Sequence, residues 1–466
     1  MTTDLLQLNT SLIAGIAVAL AVLIRVLWNI KFSPLARQGI PGPTYAAVSD
    51  FWFQFQTIRF KRVFEIERLF KEYGPVVQVG PNRVAFLDTE PIHEIYRAFP
   101  FSKAKWWERG TIGGGQNSVI TNDSVLHARL RRWHAAGFRG DSLRRTARLL
   151  VGQMNELVQR MHTLDMLGIA LFDTKFEQIR TRQEHPAIQY NSDILVDQAL
   201  RTSLPETIFS FIKLLPIRRL RQVFTADPGL FELGAKMYDE LPDEPTDSEA
   251  INIMGAAKWS TDPATGKMTS RNQVLSEMAI FVIAGTDTTA FTITYLMYEL
   301  ALRPRLYDII REELRQAENQ DAIYDIQFLR SIPYLGAVLK EVLRVHGPAS
   351  FYIERTVLPG GIRLGGHFIP EGVEVGFTAH ATARNKHLFP NPELVDPERW
   401  IVQKDGRWIE REDVPLADMN TAWLPFGSGL RACAGRPLAE VEILLTWLQL
   451  WPTSELASTK AQPPSR

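Results

Sequence analysis

Apolar residues in this chain come in runs of very different length, and each length predicts a different element. From Leu12 to Ile30 the run is almost unbroken, interrupted by Arg25 and Asn29. As a helix it would span roughly 28 Å, enough to cross a bilayer. Ile40-Pro-Gly-Pro43 cannot continue it and predicts a stiff hinge. Residues 76–80 and 83–87 alternate in polarity and predict a hairpin, whereas most of the chain beyond them has helical spacing. The apolar stretch 273–302 ends before Pro304 and predicts one long buried helix. Residues 334–344 have amphipathic spacing that puts Glu341 and Arg344 on one face at i, i+3. Residues 437–448 predict a helix start, and the acidic stretch 238–247 predicts a solvated loop.

Composition narrows the class. The chain has 466 residues, 45% hydrophobic and 22% charged with zero formal net charge, which suits a large core and argues against nucleic acid as a partner. A single cysteine forms no intramolecular disulfide, so the folded body belongs in a reducing compartment. Arg25 lies where its side chain can snorkel, Lys31 and Arg37 follow, and only Asp4 is charged before the run. The positive-inside rule then leaves the body cytosolic, on a single-pass anchor in membrane lipid. A cleaved signal peptide is the rival reading, but there is no basic n-region. With no repeat or low-complexity linker, the expected division is an anchor at 1–30, a hinge at 31–43 and one domain at 44–466.

The lone thiol carries the chemistry. Cys433 lies in Phe426-Gly-Ser-Gly429-Leu-Arg431-Ala-Cys433-Ala-Gly435, directly before the predicted helix. A helix N-terminus lowers a thiol pKa, the glycines let backbone amides approach the sulfur, Phe426 is placed to cover it and Arg431 to reach an anion. A cysteine without this frame reads equally as a small buried hydrophobe. The frame F-x-x-G-x-R-x-C-x-G resembles the haem-binding loop of the cytochrome P-450 family, in which the thiolate is the axial iron ligand.

Further stretches share that resemblance. Glu341 and Arg344, alone, read as a solvated surface pair. Together with Arg399 in Asp396-Pro-Glu-Arg399-Trp400, they resemble the family's buried network behind the haem. Ala284-Gly285-Thr286-Asp287-Thr288-Thr289 reads on its own as hydroxyls bonding back to the preceding turn. It also resembles the family's distal hexad. There the helix opens locally, the glycine leaves room for dioxygen, and the matched Asp287 and Thr288 relay protons so that the O–O bond breaks without peroxide escaping. His127 and Arg131 resemble the family's W-x-x-x-R pair, with another ring N–H at the tryptophan place. Arg355 resembles its propionate-supporting arginine. Arg129 and Arg132 read as a solvated basic face or as a docking patch for an acidic electron donor.

The resemblance covers nearly the whole chain and implies a mainly α fold with a smaller β-rich subdomain, behind an N-terminal transmembrane helix. It implies haem b held by Cys433 with Phe426, Arg431 and Gly435 in the loop. It implies insertion of one atom of O2 into a hydrophobic small molecule, with electrons from NADPH through cytochrome P-450 reductase, in the endoplasmic reticulum membrane. The wording of the hexad and of 127–132 is similar to fungal microsomal members, which points to secondary-metabolite biosynthesis on a terpenoid, polyketide or indole. Trp106, Trp107, Gly113 to Gly115, 281–284 and 348–353 are pocket candidates or ordinary core. Two departures stand out. Only 33 residues follow Cys433, so the family's closing β-hairpin is expected to be absent or replaced, and the region between Arg160 and Phe176 looks shortened. A reductase-independent haem isomerase or lyase, or a non-catalytic membrane haem protein, are the alternatives.

Overall fold

The computed structural model describes residues 2–98, 101–135, 138, 163–172, 178–181, 183–241, 253–259, 261, 266, 268–316 and 326–449. They form two compact units, Met1–Ala104 with Phe351–Thr382, and Lys105–Ser350 with Ala383–Arg466.

The first unit begins with α1 (Thr2–Leu27), whose apolar side chains from Ile13 to Ile24 all stand exposed. The helix ends slightly before the apolar run does, in a wider turn at Trp28–Phe32, where buried Asn29 donates to the Val48 carbonyl at 2.9 Å. The Ile40–Pro43 segment is non-helical, but it is no free hinge: Ile40 is buried and the Pro41 carbonyl accepts the Gln78 N–H at 2.8 Å.

That bond leads into a mixed sheet of β1 (Val76–Gly80), β2 (Arg83–Phe86), β3 (Ser102–Lys103), β4 (Tyr352–Thr356) and β5 (Glu374–Thr378), ordered β1-β2-β5-β4-β3. The expected hairpin is β1–β2, antiparallel with Val77 opposite Ala85. Both its faces are buried, so the alternation marks no solvent side. Gly376 lies where β4 and β5 meet: a Cβ there would come 2.2 Å from the Ile353 carbonyl oxygen, so only glycine fits.

The second unit is helical. Its main members are α2 (Ser124–Ala135), α3 (Thr163–Phe172), α4 (Pro186–Ser203), α5 (Arg218–Glu240), α6 (Arg271–Leu302), α7 (Pro333–Val345) and α8 (Arg436–Gln449). The axis of the unit is α6, started by Ser270, whose Oγ accepts the Gln273 N–H, and stopped by Pro304. One core gathers Leu130, Leu230, Leu275 and Met278 around its N-terminal half. The other packs its C-terminal half against α7 and α8 through Leu296, Val338, Val342 and Leu445. Buried Glu277 accepts from the Ser118 N–H and hydroxyl at 2.6 and 2.8 Å, with His134 Nε2 3.2 Å away.

Three expectations change. Residues 238–240 are not loop but the last turn of α5, where Asp239 pairs with Arg271; 242–247 lie outside the described residues. The shortened region holds a ten-residue helix, α3, while its flanks to either side, like the tail after residue 449, lie outside the described residues. Finally, Gly285 faces α3: a Cβ would come 2.7 Å from Leu167 Cδ2, so the glycine is needed to seat α3 on α6 and is not spare room for dioxygen.

Gly285→Ala gains about 1 kcal/mol of helix propensity and loses roughly 1–3 kcal/mol to overpacking, so we expect a lower melting temperature. Combining it with Leu167→Ala should destabilise less than the sum of the two single changes. Strict additivity in thermal or denaturant unfolding would show that the two side chains do not compete for one space.

Candidate active site

The loop around Cys433 is shaped by two glycines in the left-handed region, Gly427 at φ +66° and Gly429 at φ +65°. They fold the chain back so that the Cys433 N–H donates to the Phe426 carbonyl at 2.8 Å. The sulfur therefore lies just ahead of α8, where the Gly435 and Arg436 amides donate to it. The predicted drop in thiol pKa does not result. Surrounding protein desolvates the sulfur and pushes its pKa up; those amides and the charges of Arg131 and Arg436 oppose this without winning. Cys433 keeps solvent-accessible surface, and the Phe426 ring packs with Trp423 and beneath the Arg436 guanidinium, 5.2 Å from its centroid.

The Glu341 carboxylate is fully buried and accepts four hydrogen bonds. Arg344 donates through Nε at 2.6 Å and Nη2 at 2.9 Å, Trp400 through Nε1 at 2.8 Å and Asp396 through its N–H at 3.0 Å, while the Arg399 guanidinium pairs with it electrostatically at 3.5 Å. Arg344 also donates to the carbonyls of Ala383, Pro392 and Leu394. This is no solvated surface pair. The Trp400 indole is the member that spacing did not single out. Next along α7, the Lys340 ammonium sits 3.7 Å over the Trp400 ring, and its backbone carbonyl accepts Trp423 Nε1 at 2.9 Å. Trp423 in turn stacks under Arg436, at the start of α8. A continuous path of contacts thus ties α7 to the cysteine loop.

Across the hexad, α6 presents three faces. Ala284 is exposed and Thr288 half-exposed on a helix otherwise largely buried. Asp287 turns to α4; burial raises its pKa and the nearby Asn191 side chain works against the rise. Thr289 turns to α8, toward Glu442. The helix runs unbroken and does not open. Thr286 and Thr288 donate to the carbonyls of Val282 and Ala284 at 2.7 and 2.5 Å, the back-bonding that the hydroxyl run suggested. Glu442 had no sequence signal. It is fully buried and its carboxyl is pushed up to about 8 by desolvation, with only the Thr289 hydroxyl opposing.

The remaining candidates lie on several elements. His127 and Arg131 lie on α2, His127 buried. Arg431 Nη1 donates to the Thr121 carbonyl at 2.9 Å. Arg355 belongs to the first unit, where Nη1 donates to the Glu354 carbonyl at 2.8 Å and the guanidinium lies 4.9 Å from the Tyr96 ring centroid. Arg132 is exposed, as a solvated face requires, but Arg129 rests on the Trp133 ring. Among the pocket candidates, Tyr352 is core, bonded to the Val84 carbonyl, and Phe281 packs edge-on against His134. Gly113 meets Phe231 so closely that a Cβ could not be added.

The donor set fits haem. Among the described residues no three His, Cys, Asp or Glu side chains converge as a metal site. A metal at Cys433 must therefore bring its other ligands with it, as a porphyrin does, and the cysteine keeps an exposed side with the Gly435 and Arg436 amides beside its sulfur.

Two outcomes test this geometry. Glu341→Ala strands two buried guanidiniums and an indole, and should cost several kcal/mol and yield little haem-loaded protein; normal haem content by pyridine haemochrome assay would defeat the network argument. Glu442 has a folded pKa of about 8, above the unfolded value near 4.5. Its neutral form thus favours folding fully below pH 4.5, and that contribution is lost as pH rises through 8, by a few kcal/mol. Glu442→Gln should flatten this part of the stability profile, measured by denaturant unfolding across that range.

A family model described as Cytochrome P450 matches residues 41–451. Tryprostatin B 6-hydroxylase of Neosartorya fischeri is 26% identical, over 91% of this chain and 77% of its own length. Cytochrome P450 monooxygenase stcF of Emericella nidulans is 27% identical over 94% and 91%. Cytochrome P450 monooxygenase lcsI of Purpureocillium lilacinum is 26% identical over 96% and 89%. With a thiol loop, a threonine-bearing core helix and a family match over almost all of its length, the chain belongs to the cytochrome P450 family and is a monooxygenase of it.

Proposed function

We propose that this monooxygenase hydroxylates a hydrophobic small molecule of fungal secondary metabolism, of terpenoid, polyketide or indole type, using O2 and electrons passed from NADPH by a membrane-bound cytochrome P-450 reductase. The observation that carries the reading is the hexad of α6, where Ala284 and Thr288 are open on a helix whose other faces are packed. The relatives named as a tryprostatin B hydroxylase and as fungal P450 monooxygenases support the substrate class.

Haem bound by the Cys433 thiolate would supply dioxygen activation and one-electron chemistry. Gly435 and Arg436 would hold the sulfur through their amides, and His127, Arg131 and Arg431 would partner the propionates. The rest falls to side chains of α6. Burial makes the Asp287 carboxyl a better proton acceptor than a surface carboxylate, so it can take a proton from water and hold it near the open face. Thr288 Oγ1 donates to the Ala284 carbonyl. In that state it can only accept, so handing a proton onward requires the hydroxyl to rotate off the carbonyl while accepting from the Asp287 side. Apolar neighbours keep bulk water from supplying protons at random.

α1 would anchor the protein as a single pass in the endoplasmic reticulum. Its exposed apolar side chains leave every face in need of lipid, and Lys31 and Arg37 would lie on the cytosolic side with the body. The Asp287/Thr288 pair argues against a reductase-independent isomerase, which has no need to deliver protons to dioxygen.

Turnover of candidate terpenoid, polyketide and indole substrates in cells co-expressing the reductase tests the function, with product identity as the readout. Thr288→Ala should keep the carbon monoxide difference spectrum of a haem-thiolate while releasing more peroxide per NADPH consumed. Unchanged coupling with a verified substrate would remove the relay.

A further inference from the structure

The open face of the hexad does not end with the hexad. At about 100° of rotation per residue, positions 284, 288, 291, 295, 298 and 302 fall within an arc of roughly 80°, so they form one stripe down α6. Beyond Ala284 and Thr288 that stripe is apolar and aromatic: Phe291 is 41% exposed, Tyr295 half-buried, Tyr298 52% exposed and Leu302 56% exposed. On the other side of the same turns, Ile293, Leu296 and Leu300 are buried core. From Thr288 to Tyr298 the stripe runs about 15 Å. It stops at Arg303, the cap of the helix before Pro304.

Single exposed apolar side chains are ordinary on a surface, but these are organised. The Tyr295 ring centroid lies 4.6 Å from that of Phe291 and 6.1 Å from that of Tyr298. Its pose is set from outside α6: the His346 imidazole, just past α7, stacks on it at 4.2 Å and 19°. That imidazole is held in turn, with Nε2 2.7 Å from Glu299 Oε1, and Arg303 pairs with the same carboxylate. Rings ordered in advance lose little freedom when a ligand packs on them, which lets buried area appear as affinity. A saturated ligand would gain only the area; a planar aromatic one adds offset-stacked and edge-on ring contacts. Other occupants fit less well. No lysine or arginine lies between positions 272 and 302, so α6 has nothing along the stripe to meet lipid headgroups. Four side chains also fall far short of the roughly 20–30 residues a side of a stable protein interface. The stripe is continuous, by contrast, with the face that carries Thr288.

We propose that this stripe is a binding track for the arm of the substrate that points away from the reacting carbon, and that the arm is a planar aromatic ring system, an indole or aromatic polyketide and not a saturated terpenoid. Phe291 and Tyr295 are the specificity-determining residues nearest the reacting end, and Tyr298 is the one farthest from it. This rests on the reading of the protein as oxidising a hydrophobic small molecule at the open face of α6.

An imidazole that ligates the haem iron fixes one end of a probe and turns its arm into a ruler. With the full-length protein loaded with haem in detergent, Kd is read from the shift of the haem absorption band for imidazole, 4-(4-biphenylyl)imidazole and the saturated 4-(4-bicyclohexyl)imidazole. The biphenyl arm should bind roughly tenfold tighter than the saturated one, the scale of one or two ring contacts. Tyr295→Leu keeps bulk and removes the ring, so it should erase that ratio while imidazole itself binds as before. Equal affinity for the two arms in the native protein, or an unchanged ratio in Tyr295→Leu, overturns the track. A second readout gives place: a benzophenone-armed imidazole, irradiated and mapped by mass spectrometry, should label residues 291–298, and label elsewhere overturns the proposal. Should Tyr295→Leu not load with haem, Phe291→Leu, at an exposed position, must narrow the same ratio. Variants that leave the ruler unchanged but alter flotation with phospholipid vesicles, or the sedimentation mass, give the stripe to lipid or to a second copy and overturn it too. If the label and the ratio behave as expected while no indole or aromatic polyketide is turned over, the track stands and the proposed reaction is what has failed.

Discussion

The buried carboxylate of Glu341 is the constraint on which the second unit depends. A charge with no access to water must be answered completely, and the donors that answer it come from α7 itself, from 396–400 and, through Arg344, from carbonyls at 383, 392 and 394. Each of these groups is poor in isolation. Two guanidiniums and one carboxylate, all desolvated, are stable only as a set, so the irregular segment after residue 383 has one conformation in which every charge is met. From there the constraint passes outward. Trp400 bonds to Glu341 and carries Lys340 on its ring, the Lys340 carbonyl holds Trp423, and Trp423 lies under Arg436 beside Phe426. The position of the sulfur is therefore fixed by packing that starts at an ion cluster, not by the loop's own bonds alone.

What could be read from the sequence depended on how local each cause is. The C-terminal end of α6 was legible because a continuous apolar run and Pro304 are near neighbours in the chain, whereas the cap at Ser270 lay three residues ahead of the run. The β1–β2 hairpin and the turn at Cys433 were legible for the same reason, since Gly427 and Gly429 act within a few residues of themselves. What remained hidden depends on partners far along the chain. Arg431 finds the Thr121 carbonyl 310 positions away, Gly285 meets Leu167, and the Trp400 indole closes a network begun 59 positions earlier. Glu442 gives the sharpest case. In the pattern it is one more glutamate in an amphipathic helix, two after Glu440, which does pair at the surface with Arg330 and Arg436. Two residues rotate a helix by about 200°, and that rotation carries Glu442 from solvent to the α6–α8 contact.

The three faces of the hexad explain why one short stretch can serve both packing and chemistry. Successive residues on α6 point about 100° apart, so positions 284 and 288 share the open side, 285 and 289 face α3 and α8, and 287 faces α4. The constraint on each position is independent. Glycine at 285 is set by a helix contact, and threonine at 289 by the nearby carboxyl of Glu442. Only 284 and 288 are left on the open side. A sequence pattern compresses these separate demands into six consecutive letters, which is why reading all of them as catalytic assigns dioxygen a role at Gly285 that Leu167 already accounts for.

The sulfur itself shows how the last step divides between protein and metal. Amides at the start of α8 and two arginines favour the thiolate, yet desolvation by the surrounding chain outweighs them and keeps the pKa above its ordinary value. The protein alone thus does not ionise Cys433; a coordinating metal does so outright. The amides then have a different task. Two N–H groups aimed at a sulfur draw electron density from it, and so moderate how strongly the thiolate pushes charge toward the metal.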